Sequence, residues 1–242
     1  LIKNINIKIF MKNYNKNFDK DVIDSGSYLY TKNKLSSVIA NLNISNEIKK
    51  KISYKRKKIL DFGCGDGSYT KELEKYKPTS IHGADISKEA IRIAKKKYKN
   101  INFNIGGYEY LKKCKKDQFD IINFRGVLHH VQNPKKYLQE SSRLTKVVLI
   151  LEPNGHNPIV KLLEKYSKYH IEHGERSFTS NQLVDWCKNS GFRSIDLSFI
   201  NIIPFFCPDW MVYVLNFMYP IIKYIPFIKK ILCGQILIVA SK

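Results

Sequence analysis

Acidic residues are scarce in this chain: 21 aspartates and glutamates stand against 42 lysines and arginines, a net charge of +21 over 242 residues. An excess of that size invites a phosphate-rich partner, either RNA or an anionic membrane face. A compositional bias toward lysine, asparagine and isoleucine produces the same excess, because basic runs are commonly solvated faces, so charge alone selects no partner. Cysteine is sparse, and Cys64, Cys114, Cys187, Cys207 and Cys233 form no C-x-x-C pair and no zinc-type spacing. An odd count without a secretory signal points to reduced thiols, and a cytoplasmic location is expected. H-E-x-x-H is missing, and the pairs His129/His130 and His170/His173 have no cysteine beside them, so no metal site is expected. Internal repeats are absent. So is an apolar run of the roughly twenty residues that span a bilayer: the run from Trp210 stops at Pro220 and contains Asn216.

What is present fits one folded domain. Apolar residues at 43% and aromatics at 12% are too many for a disordered chain, and 242 residues is an ordinary size for a single α/β domain with insertions. The chain opens on Leu1 with Met11 downstream, a pattern expected either of an unusual start codon or of a start at Met11. Residues 1–54 are polar and rich in lysine and asparagine, with Leu35, Val38, Ile39 and Leu42 at helical spacing, and are expected to form a helical cap over a cleft. From residue 55 on, β and α patterns alternate. Strands are expected at 58–62, 80–85, 101–105, 119–124, 147–151, 194–199 and 236–240, and helices at 71–76, 88–98, 134–144 and 181–190, with Ser87 as an N-cap. That alternation predicts a mostly parallel sheet with helices on both faces.

The segment ILDFGCGDGSYT, Ile59 to Thr70, reads as a buried strand running through a glycine turn into a helix. Glycine permits positive φ and close backbone approach, and the helix start offers unpaired N–H groups. About twenty residues further on, the run SIHGAD ends in Asp85, where a nucleotide-binding sheet places an acid against two ribose hydroxyls. Glycines at alternating positions, rather than in G-x-G-x-x-G, suit a ligand without a pyrophosphate.

This pattern resembles the S-adenosylmethionine site of class I methyltransferases. QFDIINFRGVLHHV (Gln118 to Val131) is similar to the family's fourth-strand segment, and KVVLILEPN (Lys146 to Asn154) to its fifth. HGERSFTSNQLVDWCKNSGF (His173 to Phe192) resembles the helix before strand six, and GQILIVASK (Gly234 to Lys242) the closing strand. The resemblance implies an α/β fold with a Rossmann-like, mostly parallel seven-stranded sheet over residues 55–242, and S-adenosyl-L-methionine as cofactor. It further implies that Asp61 organises the turn and meets the methionine ammonium, that Gly63, Cys64 and Gly65 pass under methionine and ribose, that Asp85 holds the ribose, and that Ile86 packs on adenine. An ordinary helix N-cap is the competing role for Asp85. After strand three the family usually carries an acid, whereas this chain has Gly107, leaving the backbone of Gly107 and Tyr108, or Glu109, for the adenine edge. Phe124, Arg125 and Gly126 are expected at the methionine end, with Arg125 pairing the cofactor carboxylate, an acidic substrate or a surface acid.

Methyl transfer needs an aligned nucleophile and little acid–base machinery. If the nucleophile is a hydroxyl, a base helps, and His129, His130, His156, His173 and Glu152 are the candidates. The stretch 200–232, broken by Pro204, Pro208, Pro220 and Pro226, is the most apolar in the chain. It fits an apolar helical insertion (201–233) before the last strand: a lid over a greasy acceptor, short helices in a membrane interface with Lys223, Lys229 and Lys230 at the phosphates, or added core. The leading expectation is methylation of a small-molecule or lipid-like acceptor. Methylation of RNA, for which no binding module is visible, and a non-catalytic binding role on the same fold are the other two.

Overall fold

The computed structural model describes residues 34–242 apart from His173, together with Asp19. The expected cap over 1–33, Asp19 aside, and the candidate base His173 lie outside the described residues.

Seven strands form one sheet in the order β3-β2-β1-β4-β5-β7-β6. They are β1 (Lys58–Phe62), β2 (Ser80–Asp85), β3 (Asn102–Ile105), β4 (Ile121–Arg125), β5 (Val147–Pro153), β6 (Ser194–Ile200) and β7 (Gln235–Ser241). β1 to β5 pair in parallel, while β7 runs antiparallel between β5 and β6. The order reverses at β1/β4, and open sheets of this kind hold ligands beyond the carboxyl ends of the strands at that point.

The period-two alternation of β1 divides the core. Leu60 and Phe62 face a cluster with Ile122, Phe124, Val148 and Ile150, covered by helices α4 (Tyr108–Lys113), α5 (Pro134–Leu144) and α8 (Ser180–Asn189) through Leu111, Leu138 and Leu183. Ile59 faces the other way, with Ile121, Leu149 and Leu151 under α1 (Leu35–Lys51) through Ile44 and Ile48. Beside it, α3 (Lys88–Lys97) packs Ile91 and Ala94 on Ile81 and Phe103. Short α2 (Ser68–Glu72) follows the glycine turn and continues as a 3-10 turn to Tyr76, while α6 (Pro158–Tyr166) and α7 (Lys168–Glu172) follow β5.

Of the four apolar positions at helical spacing in α1, Leu35 and Ile39 pack partly buried against the core of the insertion. Val38 and Leu42 are exposed, and the buried positions are Ser36, Ser37, Ala40, Ile44 and Ile48. Small side chains allow close approach: the hydroxyls of Ser36 and Ser37 donate to the Phe205 carbonyl at 2.8 and 3.3 Å, and Ala40 enters the core of the insertion.

That insertion carries α9 (Asp209–Ile222) and α10 (Pro226–Leu232). Val212, Tyr219, Ile222 and Cys233 pack with Ile202 and Ile203. Asn154, after β5, donates from its side-chain amide to the carbonyls of Lys230 and Cys233 at 2.8 and 2.7 Å, and Asn157 donates to Leu232 and Cys233 while capping α6. These buried amides satisfy the last carbonyls of α10, which have no partner within the helix. All five cysteines are buried and free of disulfides.

Candidate cofactor and active site

The glycine turn is folded by its own backbone. Gly63, Gly65 and Gly67 take φ of +77, +54 and +79, conformations strained for any residue with a Cβ. The N–H groups of Gly63 and Cys64 both donate to the Ala84 carbonyl at 2.7 and 3.2 Å, which ties the loop to the end of β2. A Cβ on Gly63 would stand 2.3 Å from Val127 Cγ2. Gly63 therefore serves packing of the β4 loop, and the carbonyls and Cα atoms of the turn are what it offers a ligand. Cys64 turns its thiol into the core with Ile91 and Phe103, where burial first, then the charges of Asp85 and Asp61, push its pKa up.

Asp85 accepts N–H groups from Gly65 at 2.9 Å and Ser87 at 2.8 Å, one on each carboxylate oxygen. Ser87 is the N-cap of α3, accepting from Ala90 N–H, so Asp85 is not itself the cap. Burial raises the Asp85 pKa and the two N–H donors pull it back. Among the described residues one lone pair stays open on each oxygen, which suits a two-acceptor clamp for a diol. Asp19 sits alongside, its carboxylate accepting from the Ser87 hydroxyl at 2.5 Å.

Asp61 is buried and accepts the Thr70 hydroxyl at 2.6 Å; burial raises its pKa, with Thr70 and the charge of Arg125 opposing. It shares a cavity of about 30 Å³, room for about one water, with Tyr54, Tyr69, Asn123 and Arg125. Arg125 stacks on Tyr69 at 3.8 Å and donates to Asn41 Oδ1 of α1 at 2.8 Å. No salt bridge to Arg125 occurs among the described residues.

On the other side of Asp85, Ile86 is half-buried, and a Cβ on Gly107 would come within 3.0 Å of its methyl group. Gly107 thus leaves a slot where the family usually has a carboxylate. Tyr108 and Tyr137 close that slot with ring centroids 5.3 Å apart. Tyr137 has no signal in the sequence: on α5 it reads as an ordinary core residue. Glu109 instead faces solvent and pairs with Lys112.

At the end of β4, Gly126 (φ +68) opens a 3-10 turn over Leu128–His130. Glu152 of β5, wholly buried, holds this turn by accepting the N–H groups of Val127, Leu128 and His129 at 2.9, 2.7 and 3.1 Å and His129 Nδ1 at 2.6 Å. Fully engaged, Glu152 is an anchor and not a free base. Burial alone would lower the His129 pKa, yet the charge and hydrogen bond of Glu152 outweigh it and the net shift is upward. His130 lies against His129, ring centroids 3.9 Å apart, and Glu175 joins them, the three offering ligand-type atoms within 4.8 Å of one another. Glu175 pairs with His170 at 3.3 Å through one oxygen, while the other is buried with no hydrogen-bond partner among the described residues. His156 takes no part: its Nε2 accepts from Ser180 N–H at the start of α8, and burial lowers its pKa.

The residues fit a cationic adenosyl donor. Asp61, Asp66 and Asp85 are three carboxylates around one turn, and Asp66 Oδ2 is buried without a hydrogen-bond partner among the described residues. The paired acceptor oxygens of Asp85 and the slot at Gly107 fit the ribose and the base of such a donor. A family model described as a methyltransferase domain matches residues 34–197. The chain belongs to that methyltransferase family, whose donor is S-adenosylmethionine. Ubiquinone biosynthesis O-methyltransferase of Coxiella burnetii is 25% identical over 177 residues, 65% of this chain and 72% of the relative. Among solved structures, a SAM-dependent methyltransferase from Thermotoga maritima superposes with a TM-score of 0.65 at 17% identity, covering 86% of this chain and 91% of that one. Phosphoethanolamine N-methyltransferase 2 of Haemonchus contortus, in complex with S-adenosyl-L-methionine, gives 0.60 at 16% identity, over 84% of this chain and 52% of its own.

Proposed function

We propose that this methyltransferase transfers the methyl group to a hydroxyl of a small, largely apolar acceptor, with the acceptor's proton leaving to the His129/His130 pair. The observation that carries this reading is the buried His129–Glu152 contact at the end of β4. A hydroxyl is a weak nucleophile until its proton is drawn away by a positioned base. Glu152 orients the imidazole of His129 and leaves Nε2 as the ring atom able to take a proton, with His130 in ring contact. The printed name of the Coxiella relative, an O-methyltransferase, supports the same acceptor atom.

The bound cofactor supplies an activated methyl group on a sulfonium. In this reading Asp85 orients its ribose, Ile86, Gly107, Tyr108 and Tyr137 enclose its base, and the carboxylates of Asp61 and Asp66 meet its ammonium, with Gly63, Cys64 and Gly65 forming the floor. Arg125, steadied by Tyr69 and Asn41, faces the cofactor carboxylate, and α1 closes that end. Incubation of the full chain with methyl-labelled cofactor and cell extract, fractionated into lipid, small-molecule, RNA and protein pools, tests the acceptor class. Label in the organic-soluble pools, lost in His129→Asn or His130→Asn with cofactor affinity retained, is the expected result. Label in RNA or protein, or full turnover in both histidine variants, overturns it.

A further inference from the structure

The insertion before β7 presents an apolar surface that is exposed among the described residues. α9 is apolar on two sides. Val212, Tyr219 and Ile222 pack inward, while Trp210, Tyr213, Val214, Phe217 and Ile221 form a second stripe at i, i+3, i+4, i+7 and i+11 that faces solvent. Phe217 is 79% exposed, and Phe227 on α10 is 73% exposed. Exposed apolar residues also stand on the two helices bonded to the insertion. Val38 and Leu42 are exposed on α1, which meets α9 through Asn43 and Asn216. On the other flank Ile159, Leu162 and Tyr166 are exposed along α6, whose cap residue Asn157 is bonded to the Leu232 carbonyl of α10. Scattered apolar residues on a surface need no explanation, but a stripe of five exposed apolar residues, three of them aromatic, along one helix does. Among the described residues no helix is long and apolar enough to cross a membrane.

We propose that α9 and α10 lie flat in the headgroup boundary of an anionic bilayer and dock the catalytic domain there. The charge on this face selects the occupant. The charged residues of the insertion are Asp209 at the start of α9 and Lys223, Lys229 and Lys230 toward its end, a basic set that suits lipid phosphates beside sunken rings. A second copy of this chain would bring a like net charge of +21 against the same lysines. Trp and Tyr with basic neighbours are the composition of an interface, apolar on one end and wet on the other. α6 starts just past the carboxyl end of β5, the edge on which the candidate active site lies, so the docked face borders the cleft. Entry of a lipid-dissolved acceptor from that side rests on the hydroxyl-acceptor reading above; the docking itself does not.

Flotation of the full chain with vesicles of equal parts phosphatidylcholine and phosphatidylglycerol at low salt tests the proposal, with pure phosphatidylcholine vesicles as the comparison. Wild-type protein should float with the anionic vesicles, and Trp210 fluorescence should be quenched by brominated acyl chains while Trp186, packed on Phe178 at 4.8 Å, stays unquenched. Combining Trp210→Ser, Phe217→Ser and Phe227→Ser should lower partitioning by roughly tenfold or more per ring. Lys223→Glu, Lys229→Glu and Lys230→Glu should each lower it by about fivefold at low salt and less as salt rises. Because every replaced ring is solvent-exposed, circular dichroism and cofactor affinity should be unchanged, which separates this test from that of the active site. Wild-type protein that stays with the soluble fraction, an unquenched Trp210, or a concentration-dependent dimer dissolved by the ring substitutions overturns the proposal.

Discussion

Replacing Glu152 by glutamine probes how much of the turn at the end of β4 depends on one buried carboxylate. Glutamine keeps the volume but offers one acceptor oxygen and one NH2 donor in place of two acceptor oxygens. With the amide oxygen on the N–H groups of Val127 and Leu128, the NH2 faces two further donors, the backbone N–H and Nδ1–H of His129. The imidazole can relieve one conflict by moving its proton to Nε2, but the backbone N–H cannot. One stranded buried donor costs about 1–3 kcal/mol, and the surviving bonds lose their ionic partner, so a total near 2–4 kcal/mol is expected. At a urea slope of about 2–3 kcal/mol per molar, the unfolding midpoint should fall by about 1 M or more.

The same substitution carries a pH signature. Burial lowers the His129 pKa, Glu152 more than reverses this, and Glu175 and Glu164 add to the rise, so the folded value stands above the unfolded one of about 6.5. A raised folded pKa means the native state binds the proton more tightly. Its stabilising contribution is therefore complete below the unfolded value and is lost as pH climbs through the folded one. Urea melts of the wild type should show this part of the stability declining upward from about pH 6, and Glu152→Gln should flatten or reverse that slope. A variant within about 0.5 kcal/mol of wild type, the ordinary spread for inconsequential surface changes, or one with the wild-type pH slope, would refute the network.

Asp85→Ala removes both open acceptor positions of the proposed ribose clamp together with the partner of Gly65 N–H. At about 1.5–3 kcal/mol per charge-assisted hydrogen bond, cofactor affinity by calorimetry should fall by two orders of magnitude or more; a loss under tenfold would remove Asp85 from the site. Gly63→Ala places a Cβ against Val127 at a φ of +77, so a stability loss of about 2 kcal/mol or more is expected. Adding Val127→Ala should recover only the steric share, and full recovery would show that φ carries no strain. Burial pushes the thiols of Cys187 and Cys233 up to about 12, and those of Cys64, Cys114 and Cys207 upward as well. Native protein near pH 8 should therefore react slowly with a thiolate-seeking disulfide reagent at every cysteine, and one fast-reacting thiol would contradict the packing.

Local pattern made the sheet legible. β1 and β2 alternate or run apolar between polar breaks, and Ser87 precedes its helix at the capping position, so strand and helix ends follow from a few neighbouring residues. The glycine turn and Asp85 were legible for the same reason, since a loop joined to the next strand end is nearly a local object. What pattern missed is what long-range contact decides. α1 hides its serines because Phe205, far along the chain, offers a carbonyl there. α6 and α10 are short helices that each begin on a proline, and α10 is finished by amides of Asn154 and Asn157 that precede it by dozens of residues.

The histidine turn shows how far that limit reaches into function. In sequence, His129, His130, His156, His173 and Glu152 are equivalent as bases, because each is a titratable residue near a strand end. Tertiary structure separates the described ones by what already occupies their atoms. Glu152 is saturated by four donors, His156 is bound to the start of α8, and the ring of His129 is fixed at one nitrogen only. Glu175, which no spacing rule connects to the pair, completes the cluster from beyond α7. Identifying a base thus requires a count of filled and open hydrogen-bonding positions. By that count Glu152 and His156 drop out among the described candidates, and His129, held through Nδ1 alone, is the one whose second ring nitrogen the proposed reaction would use, at the carboxyl edge of the sheet that also carries Asp85.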